Sequence, residues 1–108
     1  MSKPNPATAD LPRAVLDGTF SGTGQSGTFT PYGPFNISLK GVGTVRPERS
    51  FDAGVTWYPI ARDVTGALAS WSVDATGVSL EASECEMGVL WRLNCTAYTS
   101  TITYRVSQ

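Results

Sequence analysis

The chain is predicted to be all-β, a small sandwich or jelly-roll-like domain of about eight short antiparallel strands with an extended N-terminal arm, and three observations carry this. Apolar residues recur with a period of two. Glycine punctuates the sequence every few residues between runs rich in Thr, Ser, Val and aromatics, the residues that suit a pleated, half-buried surface. No stretch shows the 3.6-residue period of an amphipathic helix. Many short strands separated by turn residues favour a sandwich or jelly roll over an α/β arrangement.

Residues 1–17 read as the arm, because Pro4, Pro6 and Pro12 remove backbone donors and turn their predecessors away from helix. Its tail, with Leu11, Pro12, Arg13, Val15 and Leu16, is apolar enough to seek a surface, and an arm that cannot fold alone often finds one on a neighbouring subunit. Residues 18–108 read as a single β domain. Strand-like runs follow at Thr19 to Thr23 and Thr28 to Pro31. Phe35, Ile37 and Leu39 then alternate with Asn36, Ser38 and Lys40, placing three apolar chains on one face. Further runs are Thr44 to Phe51, Trp57 to Ala61, Leu68 to Val73 and Val78 to Ala82. Val89, Trp91, Leu93, Cys95 and Ala97 alternate again, and Ile102, Tyr104 and Val106 do so after a tight connection expected near Tyr98-Thr99-Ser100, which together suggest a C-terminal hairpin.

Composition excludes several kinds of chemistry. The 108 residues contain no histidine, so a Ser-His-Asp or Cys-His nucleophile is impossible and the commonest transition-metal ligand is missing. Two cysteines cannot close a four-ligand zinc site by themselves. The net charge is −1 and the eight basic residues are scattered from Lys3 to Arg105, so no basic stripe faces a phosphate backbone and nucleic acid is not an expected partner. No apolar run reaches the roughly 18 residues of a spanning helix, and the N-terminus lacks the apolar core of a signal peptide. A protein made in a cytoplasm, with no membrane contact and no cofactor, is expected.

Four local patterns invite a functional reading. Ser50-Phe51-Asp52-Ala53-Gly54-Val55-Thr56-Trp57 fits S-x-D-x-G-x-T-W and resembles the Asp-box turn repeated in sialidase propellers. Propellers need several blades of about 40–45 residues each, and this chain holds one copy. Ser50, Asp52, Gly54, Thr56 and Trp57 are therefore assigned to a structural turn, in which the carboxylate accepts the turn's own amides and glycine supplies a positive φ. Glu81, Glu84 and Glu86, with Asp74, form an acidic cluster read as a solvated loop rather than a calcium site or a glycosidase carboxylate pair. Cys85 and Cys95 are expected as reduced thiols, Cys95 in the core. Trp71 and Trp91 fall in the core by period, which leaves Tyr58 and Tyr32 free for a sugar platform.

The run Gly18-Thr19-Phe20-Ser21-Gly22-Thr23-Gly24, then Phe35 to Leu39, Glu48-Arg49-Ser50-Phe51-Asp52 through Trp57, Gly88 to Leu93 with Cys95 and Tyr98, and the ending Tyr104-Arg105-Val106-Ser107 resemble small tailed-bacteriophage and prophage virion structural proteins of the capsid decoration, or cement, type. Ala53 stands where a second glycine is usual and Trp91 where a tyrosine is usual. The resemblance implies a non-enzymatic virion component on the capsid outer surface that bridges major capsid protein subunits and self-associates as a dimer or trimer at capsid symmetry axes. The alternatives are a minor neck, tail or fibre protein and a carbohydrate-binding β module.

Overall fold

Two 18-residue strands form the spine of the computed structural model, which describes residues 14–60 and 69–108. In chain order the elements are β1 (Ala14–Phe20), β2 (Gly24–Gln25), β3 (Gly33–Ser50), β4 (Tyr58–Pro59), β5 (Trp71–Val73), β6 (Val78–Glu84) and β7 (Leu90–Ser107). Every pairing is antiparallel. The fold is all-β, with no helix among the described residues.

The ladder between β3 and β7 runs from Asn36↔Ser107 to Ser50↔Leu90. Around its first half β1 and β6 complete a four-stranded layer in the order β1-β7-β3-β6. Around its second half β2 joins β7, while β5 and β4 join β3. The ladder is folded over at its middle. Phe35 and Arg49, the partner of Trp91, are 14 residues apart on β3, about 46 Å of extended chain. Nevertheless the rings of Phe35 and Trp91 meet edge to face with centroids 4.9 Å apart. One sheet therefore supplies both layers of a small sandwich. Between them lie Phe29, Phe35, Ile37, Leu39, Val45, Trp91, Leu93, Cys95, Ile102 and Val106, all buried.

The fold-over needs both bulges and glycine. The β3–β7 register shifts between Lys40 and Val42, between Val42 and Gly43, and between Thr44 and Val45, and β7 carries one extra residue at each shift. Three extra residues reverse the inward parity of β7, from Ile102, Tyr104 and Val106 to Cys95, Leu93 and Trp91, while on β3 the buried positions stay odd from Phe35 to Pro47. At Gly41, where φ is 145°, an added Cβ would overlap the Thr101 carbonyl oxygen, and at Gly43 it would overlap that of Ala97. The backbones approach more closely there than any side chain permits.

This bend corrects the expected C-terminal hairpin. Tyr98 to Ser100 are no turn but the bulged middle of one strand, because a phase change in the alternation looks the same in sequence whether the chain reverses or only slips register. Likewise Phe35–Leu39 and Thr44 onward are one strand, so seven strands stand where about eight were expected. The Thr28–Pro31 run contributes only an isolated bridge from Phe29 to Trp91. Ala14 to Asp17, assigned to the arm, belong to β1 and pair with β7 from Ser107 to Arg105.

Candidate interaction surface

Folding the ladder brings its two extremities together at one end of the molecule. β6 pairs Glu84 with Gly33 at the start of β3, and the same carboxylate reaches the far extremity. It accepts from Arg49 Nε at 2.8 Å, Arg49 Nη2 at 2.7 Å and Trp91 Nε1 at 2.8 Å. Glu84 is 1% exposed. Burial pushes its pKa up, but the bonds from Arg49, Trp91 and the Glu86 amide outweigh this and hold it below its ordinary value. The solvated acidic loop expected here is corrected at Glu84, which is a buried, fully partnered clasp between the layers; Glu81, Glu86 and Asp74 are exposed, and Asp74 turns its carboxylate onto the amides of Thr76 and Gly77.

The turn after β3 is hydrogen-bonded through its own residues. Ser50 Oγ donates to Asp52 Oδ1 at 2.8 Å and accepts from the Gly54 amide at 2.8 Å. The Thr56 amide donates to Asp52 Oδ1 at 2.8 Å, and Trp57 Nε1 donates to the Gly54 carbonyl at 3.0 Å. Ala53 and Gly54 take φ values of 61° and 91°. The Thr56 amide, then the hydroxyls of Thr56 and Ser50, hold the Asp52 carboxyl below its usual range. The Trp57 ring carries the Arg92 guanidinium at 4.2 Å, and Arg92 Nε donates to Glu48 at 2.7 Å. Arg46 and Asn94 complete the shell of Glu48, which is buried although it lies on the outer face of its strand.

This scaffold displays apolar side chains to solvent. Tyr32 precedes β3, Phe51 and Val55 lie in the turn after it, Tyr58 pairs with Arg49, and Met87 lies in the turn before β7. All five are exposed, Val55 at 82% and Met87 at 78%. Phe51 is held in place, with Tyr58 at 5.7 Å between centroids and the Arg49 guanidinium at 4.9 Å over its ring. Of the residues assigned to the arm, Leu11, Pro12 and Arg13 lie outside the described residues. Val15 is exposed on β1, and Leu16, half-buried, packs against the core.

Sequence reasoning assigned the turn residues and the exposure of Tyr32 and Tyr58, but missed the clasp of Arg49 with Glu84 and the buried Glu48. The latter had a local signal, since Arg46, Glu48, Arg92 and Asn94 all fall on the polar phase of the two strands. The former had none, because it joins residues brought together only by the fold-over. Among the described residues no three His, Cys, Asp or Glu side chains gather in a metal-ligating group, and no helix is long and apolar enough to cross a membrane. In comparisons with known proteins, no family model, curated protein or solved structure matches this chain.

Proposed function

We propose that the protein is a non-enzymatic structural component of a tailed-phage virion that decorates and stabilises the assembled capsid by bridging major capsid protein subunits. The observation that carries this reading is the set of five exposed apolar side chains at the closed end of the sandwich, mounted on a turn and a clasp whose carboxylates are all committed to hydrogen bonds. Exposed aromatic and Met side chains are the composition of a protein-contact surface. The described carboxylates with shifted pKa values are all held low by bonded donors, which suits scaffolding rather than proton transfer. The resemblance in sequence supplies the partner, and binding to symmetric neighbours would add to the stability of a domain this small.

Quantitative mass spectrometry of purified particles tests the reading through the copy number of this chain relative to the major capsid protein. Hundreds of copies per particle are expected; a handful would move the protein to the neck, tail or fibre, and none would overturn a virion role. Deletion of residues 1–13, which leaves β1 intact, and the substitutions Val55→Asp and Met87→Asp should each weaken binding to mature heads. Saturable glycan binding lost in Tyr58→Ala would instead favour a carbohydrate module.

A further inference from the structure

The outer face of the first layer, well away from the apolar end, carries a different pattern. Register places Lys40 opposite Thr103 and Ser38 opposite Arg105, so these four outward side chains form a square on neighbouring strands, with cations on one diagonal and hydroxyls on the other. Diagonal positions on adjacent antiparallel strands are about 7–8 Å apart, within reach of two long side chains converging on one group. Ser79 extends the hydroxyl row, its Oγ 3.1 Å from that of Ser38. Thr76 and Gly77 in the turn before β6, with Val78 and Ser79 at its start, lie beside Lys40 and make the square one wall of an open groove of about 500 Å³.

No described ion pair engages the two cations of this square. The described ion pairs join Arg46 and Arg92 to Glu48 and Arg49 to Glu84, and none involves Lys40 or Arg105. Asp17 lies across from Arg105 on β1, on the side away from Ser38, with no ion pair between them. Two like charges held on one diagonal repel each other, and a single anion between them relieves that repulsion while accepting from both cations and the flanking hydroxyls.

We infer that the groove bounded by Ser38, Lys40, Ser79, Thr103 and Arg105 binds an oxoanion, a phosphate or sulfate group, between the Lys40 ammonium and the Arg105 guanidinium. A tetrahedral oxoanion offers the guanidinium two acceptor oxygens and leaves others for the ammonium and the hydroxyls. The inference is independent of the virion reading.

Titration of the full chain with inorganic phosphate, inorganic sulfate and glycerol phosphate, followed by ¹H–¹⁵N correlation spectra and matched against sodium chloride at equal ionic strength, tests it. Saturable shifts confined to residues 38–40, 76–79 and 103–105 are expected. Lys40→Ala and Arg105→Ala, both at exposed strand positions, should each weaken binding about tenfold, the loss of one charge-assisted partner. Asp17→Asn, which removes the carboxylate across from Arg105, should strengthen it. Tighter binding of glycerol phosphate than of phosphate would identify an esterified group as the ligand, and equal binding the free ion. Shifts that are linear in ionic strength, or unchanged affinity in both cation variants, would overturn the assignment.

Discussion

Arg49 and Glu84 form a two-pronged ion pair that joins opposite extremities of a single β-ladder, with Nε at 2.8 Å from one carboxylate oxygen and Nη2 at 2.7 Å from the other. A carboxylate this buried keeps its charge only while it is paired, so removing one partner is far more costly than removing both. Glu84→Ala should lower unfolding stability by about 3 kcal/mol, and Arg49→Met by a similar amount because it strands the carboxylate. The double variant Arg49→Met with Glu84→Leu should recover much of that loss. Urea denaturation of the four proteins closes the cycle, and additive losses would show that the pair is not coupled.

Acid should loosen the same end of the molecule. Burial pushes the Glu48 and Glu84 carboxyls up, but the bonds from Arg92 and Asn94 to Glu48, and from Arg49 and Trp91 to Glu84, leave both below the ordinary 4.5. The unfolded chain therefore binds protons first as pH falls. The stability due to these groups is complete above about pH 4.5 and is lost as pH drops through the lower folded values. Urea midpoints measured from about pH 6 downward should fall along this window, and Glu48→Gln with Glu84→Gln should flatten the fall. Parallel curves for the two proteins would assign the acid sensitivity elsewhere.

The bend predicts a sharp contrast among glycines. At Gly41 a Cβ would overlap the Thr101 carbonyl oxygen and come within 2.7 Å of the Ile102 Cα, and these backbone atoms cannot move without breaking the ladder. Gly41→Ala should destabilise by about 2 kcal/mol or more, from overlap and a φ that alanine rarely takes. Gly22→Ala meets nothing within 4 Å and should be neutral or slightly stabilising. Thermal melts of both variants check the pair, and equal melting temperatures would refute the close approach.

How much of this was legible in the sequence depends on range. Inward positions such as Ile37, Leu93 and Val106 follow from alternation, since each strand reports its own buried face. The turn from Ser50 to Trp57 was legible because all its bonds fall within eight consecutive residues. The fold-over was not: Gly41 and Gly43 read as punctuation between two strands, and only the ladder shows that the chain passes through them without reversing. The Arg49–Glu84 clasp and the Lys40–Arg105 diagonal depend on that register, so neither had a signal in the linear order of residues.

Ser50, rather than Asp52, should prove the mechanical centre of the turn that presents Phe51 and Val55. Its hydroxyl is fully buried, donating to Asp52 and accepting from the Gly54 amide, whereas the Asp52 carboxylate is exposed and works from the outside on the Thr56 amide. Ser50→Ala leaves the half-buried Gly54 amide without its acceptor and should cost about 1 kcal/mol in urea denaturation. Asp52→Asn keeps an oxygen in place for Thr56 and should change stability little, while Asp52→Ala should loosen the turn without unfolding the sandwich. Amide hydrogen exchange separates the cases: Ser50→Ala should speed exchange at Gly54, and Asp52→Ala at Thr56. If Asp52→Ala destabilises the whole domain more than Ser50→Ala does, the carboxylate and not the buried hydroxyl organises the turn.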